Sequence, residues 1–203
     1  MHTRRTWKGK LIGISLKKMQ SGASLSAKNV CGDMKFNKDY AGYEYSGKSI
    51  DGYVKLSGGT KIQFRSFGTG LGLTGFQGEV KGANANQGKI GLGPTNMILR
   101  SHGAPEIPTN AASRVRTDPD GVFNEIAVGL KKYGRLNQKQ IEEVRESEKI
   151  NTPKFLYSKL QVTQLLNILE SITNRDKRNQ LVEDLYLYAS SQSRFSSAYY
   201  KLE

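Results

Sequence analysis

The chain has 203 residues, enough to bury a sizeable core in one domain, or in one core with an appendage. It contains no run of about 18 apolar residues, which excludes a membrane-spanning helix, and its single cysteine, Cys31, excludes an internal disulfide or a multi-cysteine zinc site. The net charge of +13 is uneven, with 16 Lys/Arg against 5 Asp/Glu in residues 1–101 and 15 against 13 in residues 102–203, so a polyanion-binding face is expected in the first half.

The bland alternative is a basic protein kept soluble by its charge. Membrane-surface binding is disfavoured, because no basic amphipathic helix lies in the basic half. The N-terminal MHTRRTWKGK carries two arginines with no apolar stretch behind them, unlike a secretory signal. The host-cell cytoplasm or a virion is the expected environment.

Of the 22 glycines, 18 precede residue 102, and short alternating runs lie between them. Residues 1–103 therefore read as a basic β-rich core with tight turns. Trp7–Lys18 is the best strand, with Ile12, Ile14 and Leu16 on one face and Gly13, Ser15 and Lys17 on the other. It is expected at the centre of the sheet. The segment SGASLSAKN then reads as a turn, and residues 33–48 as loop with one short element. Ile50–Ser57 and Thr60–Phe67 form an expected hairpin around Gly58-Gly59, with Ile62 and Phe64 facing away from Lys61, Gln63, Arg65 and Phe67. In Phe76–Lys81, Gln77, Glu79 and Lys81 share a face.

Residues 104–120 read as a connector, and residues 121–203 as a helical region packing on the core. The helical period predicts helices over Val122–Tyr133, Leu136–Ile150, Val162–Ile172 and Arg178–Ser190, and Ser196–Leu202 suits a last strand. The fold class is thus α/β (α+β): a Gly-rich mixed β-sheet followed by helices.

Two glycine motifs fail on context. Gly70-x-Gly72-x-x-Gly75 is a formal dinucleotide fingerprint, but Phe76-Gln77-Gly78-Glu79 after it reads as a strand where a helix is required. Gly88-Lys89 resembles the end of a Walker loop, but Ile90 replaces the Ser/Thr and the spacing back to Gly82 is one too long. His102 reads as a surface residue of the connector.

Glu79-Val80-Lys81 is more informative. Metal-dependent phosphodiester cleavage needs carboxylates to hold Mg²⁺ and a cation beside the attacking water or scissile phosphate. Glu and Lys two apart on a strand deliver both to one face, and Asp51 is the acid available on a neighbouring strand. The plain reading of E-x-K is a solvated strand face.

The ordered set Ser15-Leu16-Lys17, Gln63-Phe64-Arg65-Ser66-Phe67, Gly78-Glu79-Val80-Lys81-Gly82 and Gly88-Lys89-Ile90-Gly91 resembles uncharacterised bacteriophage proteins similar to the PD-(D/E)xK phosphodiesterase superfamily. The resemblance implies a restriction-endonuclease-like core, with Lys17 as the motif lysine, Lys81 as its alternative, and Ser15 in place of the usual acid. Asp51 and Glu79 would hold Mg²⁺, while Lys18, Gln63, Arg65 and Lys89 would contact nucleic acid, DNA first. Residues 1–9 contain no acid for the strand that should precede Lys17. A chain trimmed at its front is therefore expected, with a homo-oligomer or a partner chain supplying that strand, or a fold that binds without cutting. The readings are a phage-type metal-dependent DNA endonuclease or its remnant, a non-catalytic DNA- or RNA-binding protein, or a phage structural or assembly protein.

Overall fold

The computed structural model describes residues 13–15, 25–28, 40–45, 51–66, 76–82, 88–146, 153–190 and 199–202. In chain order these form strands β1 (Gly13–Ser15), β2 (Leu25–Lys28), β3 (Tyr40–Tyr45), β4 (Gly52–Leu56), β5 (Lys61–Ser66), β6 (Phe76–Lys81) and β7 (Lys89–Gly91). Helices α1 (Leu92–Ser101), α2 (Ala111–Thr117), α3 (Pro119–Lys132), α4 (Gln138–Glu146), α5 (Pro153–Ser171) and α6 (Arg175–Ala189) follow, and strand β8 (Tyr199–Leu202) comes last. The fold is mixed α+β, and none of the described helices is long and apolar enough to cross a membrane.

Strands β3 to β7 form an antiparallel sheet in sequential order. The hairpin β4–β5 turns through Gly58 (φ 70°) and Gly59 (φ 74°), a left-handed pair that a side chain would strain. Alternation then sorts the faces. Val54, Leu56, Ile62, Phe64, Phe76, Val80 and Ile90 are buried on one side, where α5 packs over β4 and β5, and α6 over β3, β6 and β7. The Phe64 and Phe76 rings stack with centroids 5.6 Å apart. Gly78 is a glycine because the Phe64 ring crosses it: a Cβ there would lie 2.7 Å from Phe64 Cε1 and 2.8 Å from Ile90 Cγ2.

The Trp7–Lys18 strand departs from expectation. Its described part, β1, pairs in parallel with β8 at the edge of a separate three-stranded sheet, ordered β1-β8-β2. It is not the central strand of the main sheet. Alternation within one strand reports its two faces, not its neighbours, so position in a sheet cannot be read from it. Lys17 and Lys18 lie outside the described residues. So does the run from Gly70 to Gly75.

Three helical stretches also differ. α1 escaped notice because Gly93 and Pro94 sit in it, yet a proline in the first turn forfeits no helical hydrogen bond. Residues 104–120 are a packed segment, not a spacer. They hold α2, with Ile107, Ala111 and Val115 in the common core, and the Asn96 amide donates to Ile107 O while its Oδ1 accepts from Ile107 N, both at 2.9 Å. α5 starts at Pro153, nine residues before the predicted Val162. Every residue from Phe155 to Leu166 is buried, including Ser158, Lys159 and Gln161, so this stretch has no solvent face to impose a period. Elsewhere the helix starts follow from capping. Asp118 Oδ1 accepts from Gly121 N and Asn174 Oδ1 from Lys177 N, each at 3.0 Å.

Candidate nucleic-acid interface

The face of the main sheet turned away from α5 and α6 carries Tyr53 and Lys55 from β4, Lys61, Gln63 and Arg65 from β5, Gln77, Glu79 and Lys81 from β6, and Lys89 from β7. Register arranges them in rows across the strands. One row runs Glu44–Tyr53–Gln63–Glu79–Lys89. The next runs Lys55–Lys61–Lys81, three lysines directly opposite one another on adjacent strands. Neighbouring strands lie about 4.8 Å apart, and like charges opposite one another destabilise a sheet. The first row relieves the second: Lys55 pairs with Glu44, Lys61 Nζ lies 4.5 Å from the Tyr53 ring centroid, and Lys81 pairs with Glu79 at 2.7 Å.

Glu79 is the electrostatic centre of this face. Its Oε2 meets Arg65 Nη2 at 3.0 Å and Lys81 Nζ at 2.7 Å, and its Oε1 meets Lys89 Nζ at 3.4 Å. The carboxylate is 15% exposed, whereas Lys81 and Lys89 are 39% and 56% exposed. Lys81 first, then Arg65 and Lys89, hold the Glu79 carboxyl below its ordinary value against the opposing effect of burial. Asp51, just before β4, accepts from Gln63 Nε2 at 2.6 Å, and the same nitrogen lies 3.3 Å from Tyr53 Oη.

Asp51, Gln63, Arg65, Glu79, Lys81 and Lys89 thus come together on one face. Asp51 and Glu79 nevertheless do not form a metal pair. β5 lies between their strands, two strand spacings or about 9.6 Å; its Arg65 pairs with Glu79 and its Gln63 donates to Asp51 Oδ2, while the buried Asp51 Oδ1 has no hydrogen-bond partner among the described residues. Mg²⁺ binds through several oxygen ligands. Here both Glu79 oxygens are already held by the protein's own cations, and no group of three or more His, Cys, Asp or Glu able to hold a metal occurs among the described residues. Glu79, held by three cations, does not fit the ion expected of it. Ser15 lies in the other sheet, on β1 opposite Lys201.

A second polar constellation went unread in the sequence. Tyr40 and Tyr43 of β3, Tyr133 after α3, and Glu170 of α5 meet beside the sheet. Tyr43 lies edge-on to Tyr133 with centroids 5.1 Å apart, Tyr40 lies 6.1 Å from Tyr43, and Arg178 sits 4.9 Å from the Tyr40 ring centroid. Tyr133 Oη contacts Asn167 Oδ1 and lies 3.1 Å from Glu170 Oε2, which also pairs with Lys132. Burial pushes Tyr40 up to about 12 and raises Tyr43 and Tyr133 further, while Lys132 keeps Glu170 below its ordinary value. Tyr43, Tyr53, Tyr133, Lys55, Glu44 and Arg135 border a cleft of about 380 Å³. A larger cleft, about 620 Å³, lies between α2, α3, α4 and α5, where Arg145 covers the Phe123 ring at 4.8 Å. His102, expected at the surface, is 13% exposed and bonds Asp184 Oδ2 through Nε2 at 2.7 Å, tying α1 to α6.

The two lowered carboxyls set an acid limb. A carboxyl lowered by folding contributes stability that is complete above its unfolded value, near 4.5, and is lost as pH falls through the folded value. The urea midpoint of the wild type is expected to fall progressively below about pH 4.5, and the double variant Glu79→Gln/Glu170→Gln to show a flatter acid limb. Parallel acid limbs in the two proteins would show that these ion pairs contribute nothing.

No protein-family model, curated protein or solved structure matches the chain.

Proposed function

We propose that the protein binds nucleic acid, DNA first, through the polar face of its five-stranded sheet and does so without cutting it. The observation that carries this reading is the row Lys55–Lys61–Lys81, flanked by Arg65 and Lys89. Three lysines set opposite one another, with Arg65 and Lys89 beside them, outnumber the Glu44 and Glu79 carboxylates on this face, and a polyanion would neutralise the excess. The concentration of positive charge in residues 1–101 adds to it.

Neutralising phosphates releases counterions, with a log–log salt slope of about −0.9 per duplex contact. Five contacts, from Lys55, Lys61, Arg65, Lys81 and Lys89, give an expected slope of about −4.5. Anisotropy titrations of a labelled duplex between about 50 and 200 mM salt measure it. A flat response would remove the duplex-binding reading.

The phosphodiesterase reading, with Mg²⁺ and a restriction-endonuclease-like core, rests on Glu79-Val80-Lys81 and on the resemblance noted in the sequence. It has its own assay: plasmid cleavage in Mg²⁺ that disappears in both Lys17→Ala and Glu79→Ala. The cations around Glu79 and the strand between it and Asp51 weigh against it.

A further inference from the structure

Tyr53 and Lys55 belong both to the rows of the sheet and to the wall of the tyrosine-bordered cleft. A backbone following the lysine row would therefore pass the mouth of that cleft at Lys55. Building on the nucleic-acid reading, we propose that the bound strand is single and that one of its bases enters this cleft and stacks on Tyr53.

The lining suits that occupant in three respects. Tyr43 and Tyr133, packed on each other, and Tyr53 from the outward sheet face all border the cleft, and the Tyr53 ring can stack on a base of any identity, as in sequence-tolerant single-strand binders. Two cations, Lys55 and Arg135, against one carboxylate, Glu44, leave the rim positive for the adjoining phosphate. The volume of about 380 Å³ lies at the small end of ligand-sized pockets, and a small pocket suits a single base better than a larger ligand. A base still paired and stacked in a duplex cannot enter, so the cleft distinguishes single from double strands by shape alone.

The supporting residues hold Tyr53 still. Lys61 lies over its ring at 4.5 Å. Gln63 reaches its hydroxyl at 3.3 Å and is itself held by buried Asp51 at 2.6 Å. Asp51 and Gln63 are thereby positioning residues for a stacking platform, which gives a buried acid on a basic face a role that needs no metal. Arg135, which follows α3, has φ 55°, the one positive φ at a non-glycine among the described residues. Such strain persists only where the surroundings enforce it.

The test uses the full chain and four labelled ligands of about 12 nucleotides: oligo(dT), oligo(U), an abasic oligonucleotide and a duplex. The wild type is expected to bind oligo(dT) or oligo(U) about 5- to 150-fold more tightly than the abasic strand, the range that stacking of one base supplies. Tyr53→Ala should erase that preference, and Tyr53→Phe should keep it. The two oligonucleotides separate deoxyribose from ribose ligands. Equal, salt-dependent binding of all four ligands by the wild type would overturn the cleft while leaving the sheet-face reading intact, and that comparison needs no variant to fold. Retention of the preference in Tyr53→Ala would also overturn the cleft. Failure to bind any ligand would overturn both.

Discussion

Replacing Glu79 by glutamine is expected to tighten nucleic-acid binding about tenfold. In the structure Glu79 gathers Arg65, Lys81 and Lys89 around its two oxygens. A bound strand must compete with it for those cations. It must also accept the repulsion of a fixed negative charge. At about 6 Å and an effective dielectric of about 40, one unit charge is worth about 1.4 kcal/mol, a factor of ten. Because Arg65, Lys81 and Lys89 are already among the five phosphate contacts, the salt slope should stay near about −4.5 while the affinity rises. Titrations of wild type and Glu79→Gln at several salt concentrations read both quantities. Weaker binding by the variant would show that Glu79 supports the site instead of competing for it. The substitution leaves three cations without their shared carboxylate, so a loss of about 1 kcal/mol in stability accompanies the gain in affinity.

Gly88→Ala is expected to be the most destabilising small change in this part of the chain. A Cβ on residue 88 would lie 1.8 Å from Ala189 O and 2.8 Å from Ala189 C, at the C-terminal end of α6. Both neighbours are backbone, so no side-chain rotation relieves the overlap. Either β7 moves off α6, taking Lys89 away from Glu79, or the last turn of the helix shifts. Overpacking of this kind costs about 3 kcal/mol. With a urea slope of about 2 kcal/mol/M, the midpoint should drop by about 1.5 M. Gly93→Ala is the control with the opposite sign. Nothing lies within 4 Å of its Cβ position in α1, and alanine in a helix is favoured over glycine by about 0.5–1 kcal/mol. An unchanged midpoint for Gly88→Ala would contradict the packing of β7 against α6. The close approach also explains the glycine before Lys89 without any phosphate loop.

How far the sequence reaches depends on the range of the interaction involved. Side-chain alternation is a local property, so Ile62 and Phe64 were legible as inward, and Gln63, Arg65, Glu79 and Lys81 as sharing outward faces. The turn at Gly58-Gly59 was legible because positive φ selects glycine. Where local signals were absent or misleading, elements were missed: α1 behind Gly93 and Pro94, and the first half of α5, whose burial on all sides removes the amphipathic period.

Register and strand order belong to the tertiary structure. The pairing of Lys61 with both Lys55 and Lys81 makes a lysine row out of three residues that look unremarkable apart. The intervening β5 separates Asp51 from Glu79 and hands each a partner, so two acids that read as a pair in the sequence are held apart in the fold. The tyrosines of the cleft come from β3, β4 and the end of α3, and only the packing of helices beside the sheet unites them. By itself the sequence determined a basic, glycine-rich β half, a helical half and the faces of the hairpin, because steric alternation, capping and charge act over a few residues. Only the tertiary structure decided which charges oppose one another, because that depends on long-range strand pairing that no short motif encodes.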